Sequence, residues 1–185
     1  MDKSQFWKLI DDTRRELGST VDIAALLSEK LADMDVSEIL RWDQIFSAYH
    51  RMSYKRKLWA AAYAINGGCG NDGFDYFRGG LIALGKDVFL SALADPDSLA
   101  TADVEDKDLA GDEYMLYVGS RAYFRKMGMP EPDYDKFDEA YNAYALSEDE
   151  RQDLAADIHF PPDIDLDWKE ADLESVVPAL YAKFY

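Results

Sequence analysis

The sequence predicts a mainly α-helical protein, a single compact multi-helix domain with an irregular C-terminal segment. Three observations predict this fold class. Apolar residues recur every three or four positions in successive segments, capping residues stand where these segments begin, and glycine or proline stands where they end. With 185 residues, of which 48% are hydrophobic, the chain can bury a core without a disulfide or a metal.

The first three helices are predicted from capping signals that are followed by apolar stripes. The predicted starts are Asp2 with Gln5, the segment 19–22, and Asp35 with Glu38. We expect the first helix to end at Gly18, because glycine adopts the left-handed conformation that closes many helices. The second helix is expected to end near Asp33. The third carries an apolar stripe from Ile39 to Met52, so one face of it should be buried.

The middle of the chain predicts two buried helices joined by a glycine-rich loop. Residues 58–65 are alanine-rich and apolar almost all round, which favours a helix that is covered on several sides. A loop follows over 67–73, and helical spacing starts again near Phe74 and continues to Gly85. Asp72 is the expected N-cap of this second helix, because its carboxylate can accept from the free amides of the first turn.

Beyond this pair the predicted elements become shorter, and glycine and proline separate them more often. In chain order we expect a helix over 88–93, a turn at Asp95-Pro96-Asp97, an exposed acidic stretch over 103–112, and a helix that closes at Gly128. Residues 1–128 are the predicted helical core. Residues 129–185 are predicted to be an acidic, aromatic-rich C-terminal extension packed on the same domain.

Within this extension, one helix is expected over 134–145 and another after the capping pair Ser147 and Glu150. The proline-containing remainder is expected to be a tail that lies across the body of the domain. The sequence contains no internal repeat and no low-complexity run.

The charge balance excludes several classes of partner. The chain has 20 Lys and Arg against 37 Asp and Glu, a formal net charge of −17, so its surface repels a nucleic-acid backbone. The one short basic cluster, Arg51 with residues 55–57, is expected to be a solvated helix junction. Charges interrupt the apolar residues too often for a signal peptide or a membrane span, and Cys69 is the only cysteine. We therefore expect a cytoplasmic protein with no membrane partner.

Two motifs are similar to known ligand loops but depart from them at decisive positions. Residues 68–73 match the glycine spacing of dinucleotide-binding turns, yet the run before them lacks the β-branched residues of a buried strand, and Asp72 would repel the phosphates. Residues 163–174 match the carboxylate spacing of an EF-hand calcium loop, but Trp168 stands where that loop requires glycine. We therefore expect no cofactor and no metal ion.

Candidate ligand-binding residues lie in the glycine-rich loop and in the helices on either side of it. They are Trp59, Cys69, Asn71, Asp72, Asp75 and Arg78. Cys69 precedes a predicted helix N-terminus, which favours a nucleophilic thiolate, but a lone cysteine is also typical of a small buried apolar residue. Asp75 and Arg78 are three residues apart and form an ion pair in the simplest interpretation. The alternative is a small polar pocket lined by Trp59, Asn71, Asp72 and Arg78. No catalytic residue is assigned.

The same region carries a resemblance to a known family. The residues that carry it are Phe6-Trp7-x-x-Ile10, Leu58-Trp59-x-x-Ala62-Tyr63, Gly67-Gly68-Cys69-x-x-Asp72-Gly73-Phe74-x-x-Phe77-Arg78 and Asp95-Pro96-Asp97-x-Leu99. Over about the first hundred residues the chain resembles the bacterial domain-of-unknown-function family 4240. Similar sequences often have Asp where this chain has Asn71, and Trp where it has Gly80. Any site in this region of the chain therefore lacks that carboxylate and that indole. The resemblance implies no activity, substrate or cofactor.

Two functions remain after these exclusions. The first is an acidic cytoplasmic binding or regulatory module that recruits a basic protein partner through its negative surface. The alternative is a small-molecule-binding protein, or an enzyme, with a polar site at the Gly67 to Arg78 loop. Since the sequence contains none of the common catalytic motifs, it favours the first function.

Overall fold

The computed structural model describes residues 1–17, 23–103 and 109–185, and within these ranges its secondary structure is helical, without strands. The α-helices are α1 (Lys3–Leu17), α2 (Ile23–Ala32), α3 (Val36–Met52), α4 (Arg56–Asn66), α5 (Asn71–Ala83), α6 (Lys86–Ala94), α7 (Val118–Lys126), α8 (Tyr134–Ala143), α9 (Glu148–Ala155), α10 (Leu173–Val176) and α11 (Pro178–Phe184). Segments of 3₁₀-helix lie at Pro96–Thr101, Glu113–Tyr117 and Glu170–Asp172. The mainly α-helical fold class is confirmed. The expected helix end at Gly18, the start within 19–22 and residues 104–108, half of the acidic stretch 103–112, lie outside the described residues.

Capping boxes open the first and the ninth helix as the sequence predicts. Before α1, the Asp2 amide donates to Gln5 at 2.8 Å and the Gln5 amide donates to the Asp2 carboxylate at 2.9 Å. Before α9, the Ser147 amide donates to Glu150 at 2.8 Å and the Glu150 amide donates to the Ser147 hydroxyl at 3.3 Å. Each box satisfies backbone donors that a helix start leaves without an intrahelical partner.

The third predicted capping pair does not form. Asp35 is the N-cap residue of α3, but its side chain makes no capping hydrogen bond. The Glu38 carboxylate instead pairs with the amino group of Met1 at 2.8 Å. The spacing of these two acidic residues was therefore misleading, because a full positive charge binds Glu38 more strongly than a backbone amide would.

Helices α4 and α5 are joined by a shorter loop than the sequence suggests. α4 is covered on several sides, as predicted, and ends at Gly67, whose φ of 63° is left-handed. α5 begins at Asn71, three residues earlier than expected, so Gly70 is its N-cap and Asp72 lies in its first turn. The prediction of Asp72 as the cap is wrong, because Gly73 continues the helix instead of ending the loop. Asp72 still lies where the helix dipole favours a carboxylate.

The core is centred on aromatic side chains from α1, α3 and α6. The rings of Phe6 and Trp7 lie 5.7 and 4.9 Å from the ring of Tyr49, between centroids. Phe89 lies 5.3 Å from Trp7 and 5.5 Å from Tyr49. All four rings are buried, and burial of each such side chain contributes about 1.5–3 kcal/mol to folding.

The segment after Gly128 is more helical than the sequence suggests. α8 lies against α3, where the Gln44 side chain donates to the Tyr141 carbonyl at 2.8 Å. α9 is held to α1 by the ion pair between Lys3 and Asp153 at 3.0 Å, and α10 and α11 pack on α4. Turns and irregular chain occupy 156–169. The division of the chain into a core and an extension at residue 128 stays a prediction.

The predicted turn at Asp95-Pro96-Asp97 is confirmed, and it also holds the C-terminal tail. The Asp95 carboxylate accepts from the Asp97 amide at 3.2 Å and opens the 3₁₀ segment. The Asp97 carboxylate accepts from the amides of Ala179 and Leu180 at 2.9 and 2.8 Å, and so caps the start of α11. This single turn therefore connects α6 to the last helix of the chain.

Two glycines allow α5 to approach the segment before the second 3₁₀-helix. A Cβ atom on Gly80 would lie 2.7 Å from the Gly111 Cα and 2.9 Å from the Asp112 nitrogen. Gly111 itself has a left-handed φ of 114°, and a Cβ there would lie 2.7 Å from the Cα of Phe77. Since the neighbouring atoms are backbone, a tryptophan at position 80 would require a different course of the segment around Gly111.

One acidic side chain lies in the core and forms no ion pair with any residue that the structure describes. Asp43 of α3 is 9% exposed, and its carboxylate lies directly against Gly119 of α7, where an added Cβ atom would overlap it. Burial raises the pKa of this carboxyl from its ordinary value of 3.8 to about 7. The folded state therefore keeps Asp43 protonated at pH values where the unfolded chain releases the proton.

We expect Gly80→Ala to lower the free energy of unfolding by about 1–3 kcal/mol, because its methyl group would displace backbone. The matched control is Gly73→Ala in the same helix, where the new Cβ meets only the Cys69 Sγ at 3.5 Å. This variant is expected to be up to about 1 kcal/mol more stable than the native chain, since alanine favours helix. Urea denaturation measures both, and equal effects would contradict the assigned close approach.

Asp43→Asn is expected to stabilise the protein, and more so at higher pH. The native carboxyl holds its proton up to pH about 7, so the native protein loses stability as the pH rises from about 4 to 7. Asparagine carries no such penalty, and its advantage should grow by about 2–3 kcal/mol between pH 5 and pH 8. Thermal unfolding at both pH values tests this, with the exposed Asp33→Asn as control. An advantage that does not change with pH contradicts the assignment.

Candidate functional site

Arg78 is buried, and protein groups occupy all sides of its guanidinium. The side chain is 3% exposed. Its Nη2 pairs with the Asp75 carboxylate, its Nη1 donates to the His50 carbonyl, and its Nε donates to the Phe74 carbonyl at 3.3 Å. The charge also lies 4.9 Å from the ring centroids of Tyr54 and Phe74. The predicted pairing of Asp75 with Arg78 is present, and the guanidinium joins the end of α3 to α5.

His50 completes this cluster, although no pattern in the sequence connects it with Arg78. Its Nδ1 lies 3.4 Å from the Arg78 Nη1, and its Nε2 lies 3.0 Å from the Asp75 carbonyl. Arginine can only donate, so Nδ1 accepts and Nε2 carries the proton, which makes the ring neutral. Burial, together with the nearby Arg78 charge, lowers the pKa of His50 and favours the same neutral form.

Trp59 connects this cluster to the glycine-rich loop. Its ring stacks on Phe74 with 4.8 Å between centroids and 11° between planes. Its Nε1 donates to the Cys69 carbonyl at 2.8 Å, and so fixes the loop against α4. Phe74 therefore lies between the Trp59 ring and the Arg78 guanidinium, and these three side chains form one continuous stack.

The Cys69 thiol is not set up as a nucleophile. Burial raises its pKa to about 11, which is opposite to the lowering that the helix N-terminus predicts. The thiol is therefore protonated at neutral pH and has the properties of a small apolar group. Asn71 and Asp72, at the start of α5, are exposed. Neither makes a side-chain hydrogen bond or ion pair with the described residues.

A cleft lies on the outer side of this loop. It has a volume of about 210 Å³ and is lined by Arg56, Trp59, Tyr63, Cys69 and Trp168. Two of the six candidate residues, Trp59 and Cys69, contribute to it. The other four candidates do not line this cleft, so the structure divides the predicted set between a buried cluster, the start of α5 and the cleft wall.

Residues 163–168, which we call the strap, cover the start of α4 and bring Trp168 to the cleft. Three ion pairs hold the strap to the basic cluster. They are Lys57 with Asp163 (3.2 Å), Lys55 with Asp165 (2.7 Å) and Arg56 with Asp167. The Lys57 amide donates to the Ile164 carbonyl at 2.8 Å, and the Trp168 indole donates to the Arg56 carbonyl at 2.6 Å. The strap therefore partly covers Lys55 and Lys57, whereas Arg51 and Arg56 stay exposed, as expected for a solvated junction.

The strap carboxylates that match calcium-loop spacing are thus each engaged by a cation. Over the ranges that the structure describes, no group of three or more His, Cys, Asp or Glu side chains is arranged to hold a metal ion. Over the same ranges, no helix combines the length and the apolar character needed to cross a bilayer.

A family model described as "Protein of unknown function (DUF4240)" matches residues 1–125. The resemblance inferred from the motifs is therefore confirmed, and the match extends past the first hundred residues. No curated protein and no solved structure matches the chain. The strap and Trp168 lie outside the matched residues.

We expect Arg78→Ala to lower the free energy of unfolding by about 2–3 kcal/mol, because it removes the buried guanidinium that donates to Asp75 and to the His50 and Phe74 carbonyls. The control is Arg121→Ala, which removes an exposed arginine that also lies over two tyrosine rings, at 5.0 and 5.9 Å. That change should cost at most about 1 kcal/mol. Chemical denaturation compares the two, and a similar cost for both would show that the Arg78 cluster is not a structural centre.

Proposed function

The chain belongs to the family of proteins of unknown function DUF4240, and we propose that it is a binding or regulatory module that recruits a basic protein partner through acidic side chains on α8. Support comes from where the free negative charge lies. Residues 129–185 hold 16 acidic and 4 basic side chains, so this segment carries −12 of the total charge of −17. Not all of it is available to a partner, because the strap carboxylates are engaged by the basic cluster.

The observation that carries the proposal is an acidic face on α8, made of Asp135, Asp138 and Glu139. These residues are spaced at i, i+3 and i+4, so they share one side of the helix. All three are exposed and form no ion pair with the described residues. Like charges at this spacing repel each other and cost a few tenths of a kcal/mol per pair. A cationic partner would relieve this repulsion. The repulsion does not stabilise α8 itself, so the fold gives no reason for these three carboxylates to share one face.

An aromatic ring next to the acidic face supports the same function. Tyr134 is 54% exposed and lies one helical turn before Asp138. Its ring is fixed edge-on against Phe124, with 5.3 Å between centroids and 90° between planes. An arginine of the partner could stack on this ring while its charge meets the carboxylates. Charge complementarity of this kind speeds association and selects partners.

Neutralising the acidic face tests the proposal. The variant Asp135→Asn, Asp138→Asn, Glu139→Gln removes three negative charges from α8. Its matched control is Asp33→Asn, Asp72→Asn, Asp87→Asn, which removes three exposed charges from other elements and gives the same net charge. A labelled peptide of nine arginines serves as the basic probe. We expect the α8 variant to bind it about tenfold more weakly, a loss of about 1.4 kcal/mol, and the control to bind nearly as tightly as the native chain.

Salt provides the second arm of this test. Binding of the native chain should weaken as ionic strength rises, because salt shortens the Debye length, beyond which exposed charges are screened from one another. The α8 variant should show a shallower salt dependence than the control. Equal losses in both variants would mean that total charge, rather than the α8 face, attracts the probe, and would overturn the proposal.

A further inference from the structure

The cleft beside the glycine-rich loop has walls made of three aromatic rings whose polar atoms are already occupied. The Trp59 indole donates to the Cys69 carbonyl at 2.8 Å, the Tyr63 hydroxyl donates to Glu170 at 3.0 Å, and the Trp168 indole donates to the Arg56 carbonyl at 2.6 Å. Each ring is therefore held in place by a hydrogen bond to another protein group. What the rings offer to a ligand is their apolar surface.

The rings are also fixed against one another. Phe74 covers one face of Trp59 at 4.8 Å, and Trp59 lines the cleft. Trp168 meets Tyr63 edge-on, with 5.6 Å between centroids and 72° between planes. Walls that are already ordered lose little entropy when a ligand binds, and a flat ring makes the largest contact with such walls.

Arg56 supplies the only charge among the residues that line the cleft. The Cys69 thiol is neutral because burial raises its pKa to about 11. The partner of Arg56 is Asp167, whose side chain is 85% exposed, so their ion pair contributes little and can be exchanged. A carboxylate that enters with a ring could take two parallel hydrogen bonds from the guanidinium.

From these observations we propose that the cleft binds a small aromatic carboxylate, whose ring lies against Trp59 and Trp168 and whose carboxylate meets Arg56. The volume of about 210 Å³ fits one ring or two fused rings, since clefts for larger ligands run from about 300 Å³ upwards. The site is independent of the acidic face on α8, because it uses α4, the loop and the strap. Failure of either proposal leaves the other standing.

The test compares three probes that share an indole ring and differ in charge: indole-3-acetate, indole and tryptamine. Ligand-detected NMR titration measures their dissociation constants on the full chain. We expect indole-3-acetate to bind about tenfold more tightly than indole, and tryptamine to bind most weakly. Absence of binding by all three at millimolar concentration overturns the proposal, and so does equal or tighter binding of indole or tryptamine.

Variants assign the binding to this cleft. Arg56→Gln should reduce the affinity for indole-3-acetate to that for indole, since only the anionic contact is lost. Trp168→Ala should weaken both probes about tenfold, and Trp168→Phe, which keeps a ring, should recover most of that loss. The control Tyr114→Ala removes an exposed tyrosine that does not line the cleft and should change nothing. Circular dichroism verifies that each variant is folded, and an equal loss in Tyr114→Ala and Trp168→Ala overturns the assignment.

Discussion

The buried guanidinium of Arg78 is the interaction on which the centre of the molecule depends. Burial lowers the pKa of Arg78, so the charge is expensive to hold inside the protein. The cost is offset because the guanidinium meets two backbone carbonyls, the Asp75 carboxylate and two ring faces. Since the carbonyls belong to His50 and Phe74, the arrangement sets the distance between α3 and α5. Asp75 and Arg78, which the sequence motif marks as candidate site residues, therefore hold the fold together.

The same cluster determines the shape of the cleft. Phe74 lies between Arg78 and Trp59, with its ring centroid 4.9 Å from the guanidinium and 4.8 Å from the indole. A shift of Arg78 would therefore be passed through Phe74 to Trp59, and from there to the Cys69 carbonyl. Arg78, at one end of this stack, is buried, whereas Trp59, at the other end, lines the cleft. Residues of one motif therefore have two different roles, one in the core and one in the cleft wall. The family match covers both ends, whereas Trp168, the opposite wall, comes from outside it.

The features predicted correctly from the sequence are local ones. Helical spacing and the capping boxes at Asp2 and Ser147 depend on residues a few positions apart, so the pattern contains the whole interaction. The start of α5 was misplaced because glycine fits both a loop and a first helical turn. His50 and Arg78 are 28 positions apart and the ion pairs of the strap join residues 106 to 111 positions apart, beyond the reach of periodicity. The sequence signal that could have predicted these ion pairs is the match between alternating carboxylates at 163–167 and consecutive cations at 55–57.

A net charge of −17 describes this protein poorly, because its carboxylates are in two different situations. Those of the strap stand at every second residue, and each pairs with one of three consecutive cations at the start of α4. Because the strap is tethered on both sides, Asp163 and Asp165 compete at a high effective concentration against any external anion at Lys57 and Lys55. The pair of Arg56 with the exposed Asp167 is weaker and can be exchanged. The carboxylates of the acidic face on α8 are spaced for one side of the helix, and they form no ion pair with the residues that the structure describes. If the negative charge served only solubility, paired and unpaired carboxylates would not need to lie on separate segments, since solubility depends on total charge. A cation placed against the face of α8, where three carboxylates repel one another, would gain more electrostatic energy than one placed against carboxylates that are already paired.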